Sequence, residues 1–234
     1  MPTAVVTGAS RGLGAATADA LARRGYHLVV DARDAAALES AARDWTGAAG
    51  VDALAGDVTD PDHRRALIEA AAATGRLDVL VNNASTLGPS PRPALRDVAT
   101  AKLRGVHEVN ALAPLALFQQ ARWLLHAVGG AVINLTSDVA AEALEGWGVY
   151  GSSKAALEHL TSVLAAEEPV LDVYALDPGD LRTVMHEAAF PDEDISDRPE
   201  PATAVPALLA LLDQRPAGGR YRATQLLATA GGIA

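Results

Sequence analysis

The 234-residue chain has no cysteine, which excludes disulfides and thiolate metal sites. Aromatic residues make up only 4% of it, while half of the residues are apolar, largely Ala, Val and Leu. That balance points to small helices packed closely on a sheet and argues against disorder. No apolar stretch approaches the roughly 20 residues that a membrane span needs. The N-terminus runs from Met1-Pro2 straight into "TAVVTGAS", without a charged leader and cleavable apolar segment. A soluble, cytoplasmic protein is expected. The formal charge is −10 and no basic run stands out, so neither nucleic acid nor an anionic membrane is an expected partner. Six histidines form no H-x-x-x-H or H-E-x-x-H pair, and no metal is expected. The last scarcity is lysine, with two among 19 basic side chains. One of them, Lys154, stands in "VYGSSKAALEHL", four residues after Tyr150.

Short β-branched runs alternate with helical segments. Strands are expected at 3–7, 27–32, 51–56, 77–83, 130–137 and 170–179, with a seventh within 219–230. Helices are expected at 12–25, 60–75 and 148–168, with longer segments at 34–46 and 93–127. Such alternation gives right-handed βαβ units and an α/β, doubly wound parallel sheet covered on both faces. Its ligands sit beyond the carboxyl ends of the strands, where the strand order reverses. Length predicts one domain, 1–234. The acid- and proline-rich stretch 191–206 is too short for a linker and reads as a mobile excursion near the site.

"TGASRGLG" (7–14) follows the first strand and opens the first helix. Gly8, Gly12 and Gly14 allow a tight turn and close approach of backbone to phosphate, whose charge suits a helix N-terminus. Alone, the motif is equally a plain strand-to-helix connection; its place at the first βα junction favours the phosphate. Where a dinucleotide fold meets the adenosine ribose, the sequence reads Asp31-Ala32-Arg33. The position suited to an NAD-selecting acid holds Ala32, and Arg33 with Arg11 can converge on a 2′-phosphate. NADP(H) is therefore preferred over NAD(H), with Asp31 speaking for the latter.

In "GDVTD" (56–60), Asp57 could accept from an adenine amino group and Val58 could cover the ring; a loop Asp beside a capped helix is the plainer reading. In "NNAS" (82–85), two side-chain amides could tie loops together while small Ala84 lets a cofactor pass, or the asparagines could simply form turns. Asn110 lies in "HEVNALAP", where Pro114 cannot donate a backbone hydrogen bond to it. A kink with a freed carbonyl holding water is one reading; an exposed or capping Asn is the simpler one.

Tyr150 and Lys154, at i and i+4, share a helix face. A phenol titrates near pH 10, and a neighbouring ammonium favours the phenolate, readying Tyr for acid–base work. The compact ammonium can also reach ribose hydroxyls, a pairing that a planar guanidinium fits poorly. A surface helix pair is the alternative. Ser137, at the end of the fifth strand, faces the same crevice and has no G-x-S-x-G elbow, which weighs against a hydrolase nucleophile.

Together these stretches resemble the short-chain dehydrogenase/reductase family over nearly the whole chain. TGASRGLG, GDV, NNAS, Asn110, Ser137, YGSSK and DPGDLRT (177–183) occur in the family's order and at its intervals. The resemblance implies a Rossmann-like sheet of about seven parallel strands. It makes Tyr150 the catalytic acid/base, Ser137 the holder of the substrate oxygen, and Asn110 the anchor of a proton-relay water. Lys154 would bind the nicotinamide ribose and depress the Tyr150 pKa. Cofactor contacts are implied for Gly8, Ser10, Arg11, Gly12, Leu13 and Gly14, and for Arg33, Asp57, Val58, Asn83 and Ala84. Pro178, Gly179, Leu181 and Thr183 would pass the nicotinamide, beside Tyr150 and Lys154. Val139, Leu144, Trp147 and residues 184–190 would wall a pocket for a substrate with an apolar body, with 181–206 as a variable lid. Pairing through the long segments 93–127 and 148–168 would make a homodimer or homotetramer. Ser85 departs from the pattern, standing where the family usually has Gly.

The expected reaction is NADP(H)-dependent reduction of a carbonyl to a secondary alcohol, or its reverse. Two alternatives remain open. A non-catalytic NADP(H)-binding sensor or scaffold would not need Ser137, Tyr150 and Lys154 together. An epimerase or dehydratase would retain its cofactor through the cycle.

Overall fold

The computed structural model describes residues 1–231. Seven strands form one sheet: β1 (Thr3–Val6), β2 (His27–Ala32), β3 (Gly50–Ala55), β4 (Val79–Asn82), β5 (Ala131–Leu135), β6 (Asp172–Asp177) and β7 (Gly219–Arg222). They are all parallel, in the order β3-β2-β1-β4-β5-β6-β7. The helices are α1 (Gly12–Arg23), α2 (Ala35–Ala42), α3 (Pro61–Ala73), α4 (Thr100–His107), α5 (Ala113–Val128), α6 (Gly148–Glu167), α7 (Val184–Ala189), α8 (Val205–Gln214) and α9 (Ala223–Gly231). None is long and apolar enough to cross a membrane.

The strands are near-continuous apolar runs because both sheet faces are covered. Successive side chains alternate between the faces. Ala4 and Val6 pack with Leu21, Leu38 and Leu208 from α1, α2 and α8, while Val5 between them packs with Leu67 and Leu117 from α3 and α5. Helix starts follow local chemistry. Asp60 caps α3 by accepting from the Asp62 N–H at 2.9 Å, and Pro61 occupies the first helical position, where it lacks nothing.

Three stretches differ from the sequence-based expectation. Residues 93–127 are not one helix. A 3-10 turn at Leu95–Asp97 precedes α4, and a π-turn over Glu108–Leu112 joins α4 to α5. Pro114 has no N–H to give the Asn110 carbonyl, and the helix widens into the π-turn there. The excursion 191–206 does not stay loose to its end: Ala204 and Val205 are buried, and α8, not anticipated, starts at Val205. The seventh strand stops at Arg222; from Ala223 the chain is helical, burying Ala223 and Leu226 at a spacing of three.

The strand order reverses between β1 and β4. The carboxyl ends of these strands therefore open a crevice between neighbouring βα connections, the usual place for a ligand in such a sheet.

Candidate active site

A cleft of about 1650 Å³ runs along the carboxyl edge of the sheet. Of the residues assigned to the site from sequence, Gly14, Asn110 and Glu187 do not line it and the other catalytic, cofactor and pocket-wall residues do. Gly14 explains its own identity. A Cβ there would fall 2.4 Å from both the Asn83 amide nitrogen and the Gly8 carbonyl oxygen, so α1 can approach this closely only without a side chain. Gly8 and Gly12 have φ of +67° and +60°, which suit glycine.

The turn is held from two sides. Asn83 Nδ2 donates to the Thr7 and Gly8 carbonyls at 2.8 and 3.0 Å. The Thr7 hydroxyl accepts the N–H groups of Asn83 and Ala84, each at 3.0 Å. Asn82 donates to Asn134 at 2.7 Å, and Asn134 donates to Thr161 at 2.8 Å, fastening β4 and β5 to α6. The two asparagines thus tie loops and strands together rather than merely forming a turn.

Asp31 faces inward. It is 1% exposed, and its Oδ1 accepts the Gly8 N–H at 2.7 Å while Oδ2 pairs with His63 Nε2 at 3.1 Å. Its carboxylate is therefore engaged with the glycine turn. The side chains of Arg33 and Arg11 are exposed on the cleft wall and make no hydrogen bond or ion pair among the described residues, although the Arg33 charge helps to lower the Asp57 pKa. Asp57 Oδ1 accepts both the N–H and the hydroxyl of Thr59 at 2.8 Å, which together hold its carboxyl below the usual range. That turn is the plainer of the two readings, and one oxygen of Asp57 is already engaged. Val58 is buried beneath it.

This donor set fits an anionic dinucleotide. The first turn of α1 contains no acid, and its N-cap, Arg11, makes no side-chain capping bond. Its N–H groups and two unpaired guanidinium groups therefore share one stretch of cleft. Across from them, Thr183 Cγ2 lies 3.7 Å from where a Gly12 Cβ would stand, which brings the start of α7 over the turn. Pro178, Gly179 and Leu181 line the same rim, with Gly179 at φ +77° and its N–H bound by Asp177 at 3.0 Å.

At the other end, Asn110 is completely buried and fully partnered. Its Oδ1 accepts from the Ser85 hydroxyl at 3.1 Å and the Thr86 N–H at 2.9 Å. Its Nδ2 donates to the Thr86 carbonyl and to Ser153 Oγ, each at 2.9 Å. Asn110 is therefore neither exposed nor a cap. It joins the loop after β4 to α6.

Tyr150 and Lys154 share one face of α6, and the Lys154 Nζ lies 5.6 Å from the Tyr150 ring centroid. Lys154 is 2% exposed and donates to the Leu135 carbonyl at 2.7 Å. Burial lowers its pKa to about 7, opposed by the negative charge of Glu158 one turn on. Tyr150 moves the other way, to about 12, through burial first, with Asp138 and Asp177 adding to the rise and the nearby Ser85 hydroxyl opposing it. In place of the expected depression by Lys154, the Tyr150 pKa is raised. The ammonium is bound to a backbone carbonyl, and burial weakens its own charge, so desolvation of the phenol wins.

Ser137 lines the cleft at the end of β5, but its hydroxyl donates to Asp138 Oδ1 at 2.8 Å, which also accepts the Val139 N–H at 2.8 Å. The turn carrying Ser137 and Val139 packs tightly on α6, where a Cβ at Gly151 would come within 2.6 Å of the Val139 carbonyl. Leu144, Trp147 and Phe190 close this end. The Arg92 guanidinium sits 4.0 Å from the Trp147 ring centroid and 4.6 Å from that of Phe190, and burial lowers its pKa.

Sequence reasoning missed several residues that shape the site. His63 carried no motif; the sign of its role was the bare Gly56, where a Cβ would fall 2.2 Å from the imidazole. Asp138 directly follows Ser137, but only the fold turns it back. Arg220, in β7, donates to Glu158 at 2.8 Å and to Asp177 at 2.9 Å, bracing the last strand against α6 beside the site. Nothing in the sequence links these three distant positions.

Known proteins show the same organisation. The short chain dehydrogenase family model matches residues 2–194. An uncharacterized oxidoreductase of Mycobacterium tuberculosis is 34% identical over 206 residues, 86% of this chain and 77% of that protein. The D-erythrulose reductase of Gallus gallus is 35% identical over 169 residues, 70% of this chain and 64% of that protein. Among solved structures, an alcohol dehydrogenase of Thermococcus sibiricus, complexed with 5-hydroxy-NADP, superposes with a TM-score of 0.85 at 28% identity, covering 95% of each chain. With the match running through most of its length, this chain belongs to the short-chain dehydrogenase family, whose Rossmann-like fold binds NAD or NADP and whose members are oxidoreductases acting on CH–OH and C=O groups.

Proposed function

We propose that this protein reduces a small-molecule carbonyl to a secondary alcohol, or runs the reverse, with NADP(H) preferred and with Tyr150 carrying the proton. The observation that carries the reading is that Tyr150, half-buried, and Lys154, buried, share one α6 face in the same cleft as the glycine turn and Ser137. A sensor or scaffold has no use for an amine held near pH 7 beside a phenol. The nicotinamide would supply the hydride; the protein supplies alignment and electrostatics.

The residues divide the work. The glycine turn and the α1 N-terminus hold the phosphates, and Arg11 and Arg33 favour the extra 2′-phosphate because neither guanidinium makes a hydrogen bond or ion pair among the described residues. Both oxygens of Asp31 are already engaged, by the Gly8 N–H and by His63, which supports the NADP preference. Tyr150 donates its phenolic proton to the carbonyl oxygen in reduction and accepts it back in oxidation. Its raised pKa keeps the proton in place at neutral pH and makes the phenol a weaker acid than a free one, so the proton moves only as negative charge develops on the substrate oxygen. Ser137 must rotate its hydroxyl away from Asp138 to steady the developing oxyanion. Lys154, able to gain or lose a proton near pH 7, and Asn110, holding the loop after β4, stand behind the phenol.

Val139, Leu144 and Trp147 suit a substrate with an apolar body, under a lid drawn from 181–206. Outward Trp123 and Val163 support a homodimer or homotetramer paired through α5 and α6, which light scattering would read.

The test is a screen of ketones and secondary alcohols at 340 nm with NADPH or NADP+. Tyr150→Phe should lower kcat by about 10³-fold while leaving NADPH binding intact. Turnover that survives in the Phe variant removes Tyr150 as the proton donor.

A further inference from the structure

Glu158 stands four residues after Lys154 on α6, the spacing at which an ammonium and a carboxylate meet across one helical turn. The two do not pair. Lys154 Nζ donates to the Leu135 carbonyl at 2.7 Å, while Glu158 Oε1 accepts from the Thr136 hydroxyl and from Arg220 Nε, each at 2.8 Å. Arg220 comes from β7, and its Nη2 reaches Asp177 Oδ2 at 2.9 Å and the Ser137 carbonyl at 3.4 Å. One guanidinium thus ties α6 to the end of β6 and to the turn that carries Ser137. Other titratable groups face this stretch of α6: Tyr150 on the helix itself, His107 of α4 at Ser152, Asp138 after β5, and Asp177 with its neighbour Arg222 in β6 and β7. Burial takes the Lys154 pKa down to about 7, and Glu158 is the charge that opposes it.

We propose that Arg220 is a positioning residue for Lys154: it holds the Glu158 carboxylate against β7, so that the ammonium stays at the Tyr150 end of the cleft with donors to spare. Tyr150 and Glu158 lie one turn to either side of Lys154, so a Lys154–Glu158 pair would draw Nζ away from the phenol. An ammonium has three donors, and a carboxylate would also compete for those that the Leu135 carbonyl leaves free. Arginine suits the task because its rigid fork engages two carboxylates at once and keeps its charge at every working pH. Thr136 shares the hold on Glu158, but it is uncharged. Without the guanidinium, one neutral hydrogen bond would be set against an ammonium a single turn away.

This inference deepens the reading that Lys154 serves the reaction, and the test separates the two. The chain has two lysines, so lysine labelled with ¹³C at Cε gives two signals, and that of Lys154 is assigned by its loss in Lys154→Met. Its titration is followed by NMR in the full chain. Arg220→Gln should raise the Lys154 midpoint by about one pH unit, as the released carboxylate turns onto the ammonium. Arg220→Lys, which keeps the charge, should hold the midpoint near wild type. Glu158→Gln should lower it, and adding Arg220→Gln to that variant should change nothing further, because Arg220 acts through Glu158. An unmoved midpoint in Arg220→Gln overturns the proposal, as does an equal rise in the Glu158→Gln background. Should Arg220→Gln fail to fold, Glu158→Gln decides: an unmoved midpoint there means that the carboxylate does not reach Lys154, and the proposal falls. If Lys154→Met is inactive when the proposal falls, the role of Lys154 stands and that of Arg220 alone is refuted. If Lys154→Met keeps full turnover, the reading beneath has failed instead.

Discussion

At the glycine-rich end of the cleft, the Gly8 N–H, the Thr7 hydroxyl and both Asn83 amide protons are satisfied within 3.0 Å by β1, β2 and β4. At the Tyr150 end, a phenol is pushed up to about 12 and an amine down to about 7 by burial. The two ends are built from the same sheet edge and differ in what their hydrogen bonds accomplish. One end uses polar groups to fix a backbone shape, which adds to stability. The other shifts the pKa values of a phenol and an amine by burial and holds the amine away from its ordinary charged state, which costs stability and suits proton transfer.

Substitutions at each end should therefore change stability in opposite directions. Asp31→Ala, at the shape-fixing end, orphans the Gly8 N–H and His63 together. We expect a loss of about 3 kcal/mol in urea unfolding with no dinucleotide present. A loss under about 0.5 kcal/mol would show that the carboxylate does not hold the turn.

Lys154→Met, at the reactive end, should go the other way. The folded pKa of Lys154 is about 7 against 10.5 for an ordinary lysine, so the unfolded chain binds more protons between those values. Wild-type stability should accordingly climb with pH from about 7 to about 10.5, and below 7 the buried ammonium exerts its full cost. The Met variant should be more stable by on the order of 2 kcal/mol at pH 6 and should lose the climb, while turnover collapses. Denaturant curves at pH 6, 8 and 10 decide it: a variant less stable than wild type at pH 6 contradicts the contrast.

The smallest effect belongs to Arg33, a solvent-facing residue of neither kind. Arg33→Ala should weaken NADPH binding about ten-fold, near 1.4 kcal/mol, and leave NADH binding unchanged in a fluorescence titration. Equal weakening of both would mean that the guanidinium does not read the 2′-phosphate.

The sequence made one end of the cleft far more legible than the other. Gly8, Gly12 and Gly14 could be read because backbone geometry admits no other residue there, and a local constraint leaves a local mark. Asn110 and Pro114 marked a disturbed helix for a similar reason, a missing N–H at a known distance along the chain, though not that it would take the form of a π-turn. The direction of the Tyr150 shift could not be read, because it depends on how deeply α6 is covered and on Asp138 and Asp177, which arrive from other strands. Asp31 was ambiguous because an acid at a strand end serves a ribose or a backbone N–H equally well, and only the placement of His63 from α3 decides which. Helix α8 escaped because the proline-rich stretch before it masked the start of an ordinary apolar repeat.

The inward turn of Asp31 also constrains how cofactor choice can be altered. A carboxylate meant to grip an adenosine diol cannot be borrowed from residue 31 without loosening the phosphate cradle it braces. Ala32, whose side chain lines the cleft with no polar duty of its own, is the place from which such a swap could be engineered while the cradle keeps its support.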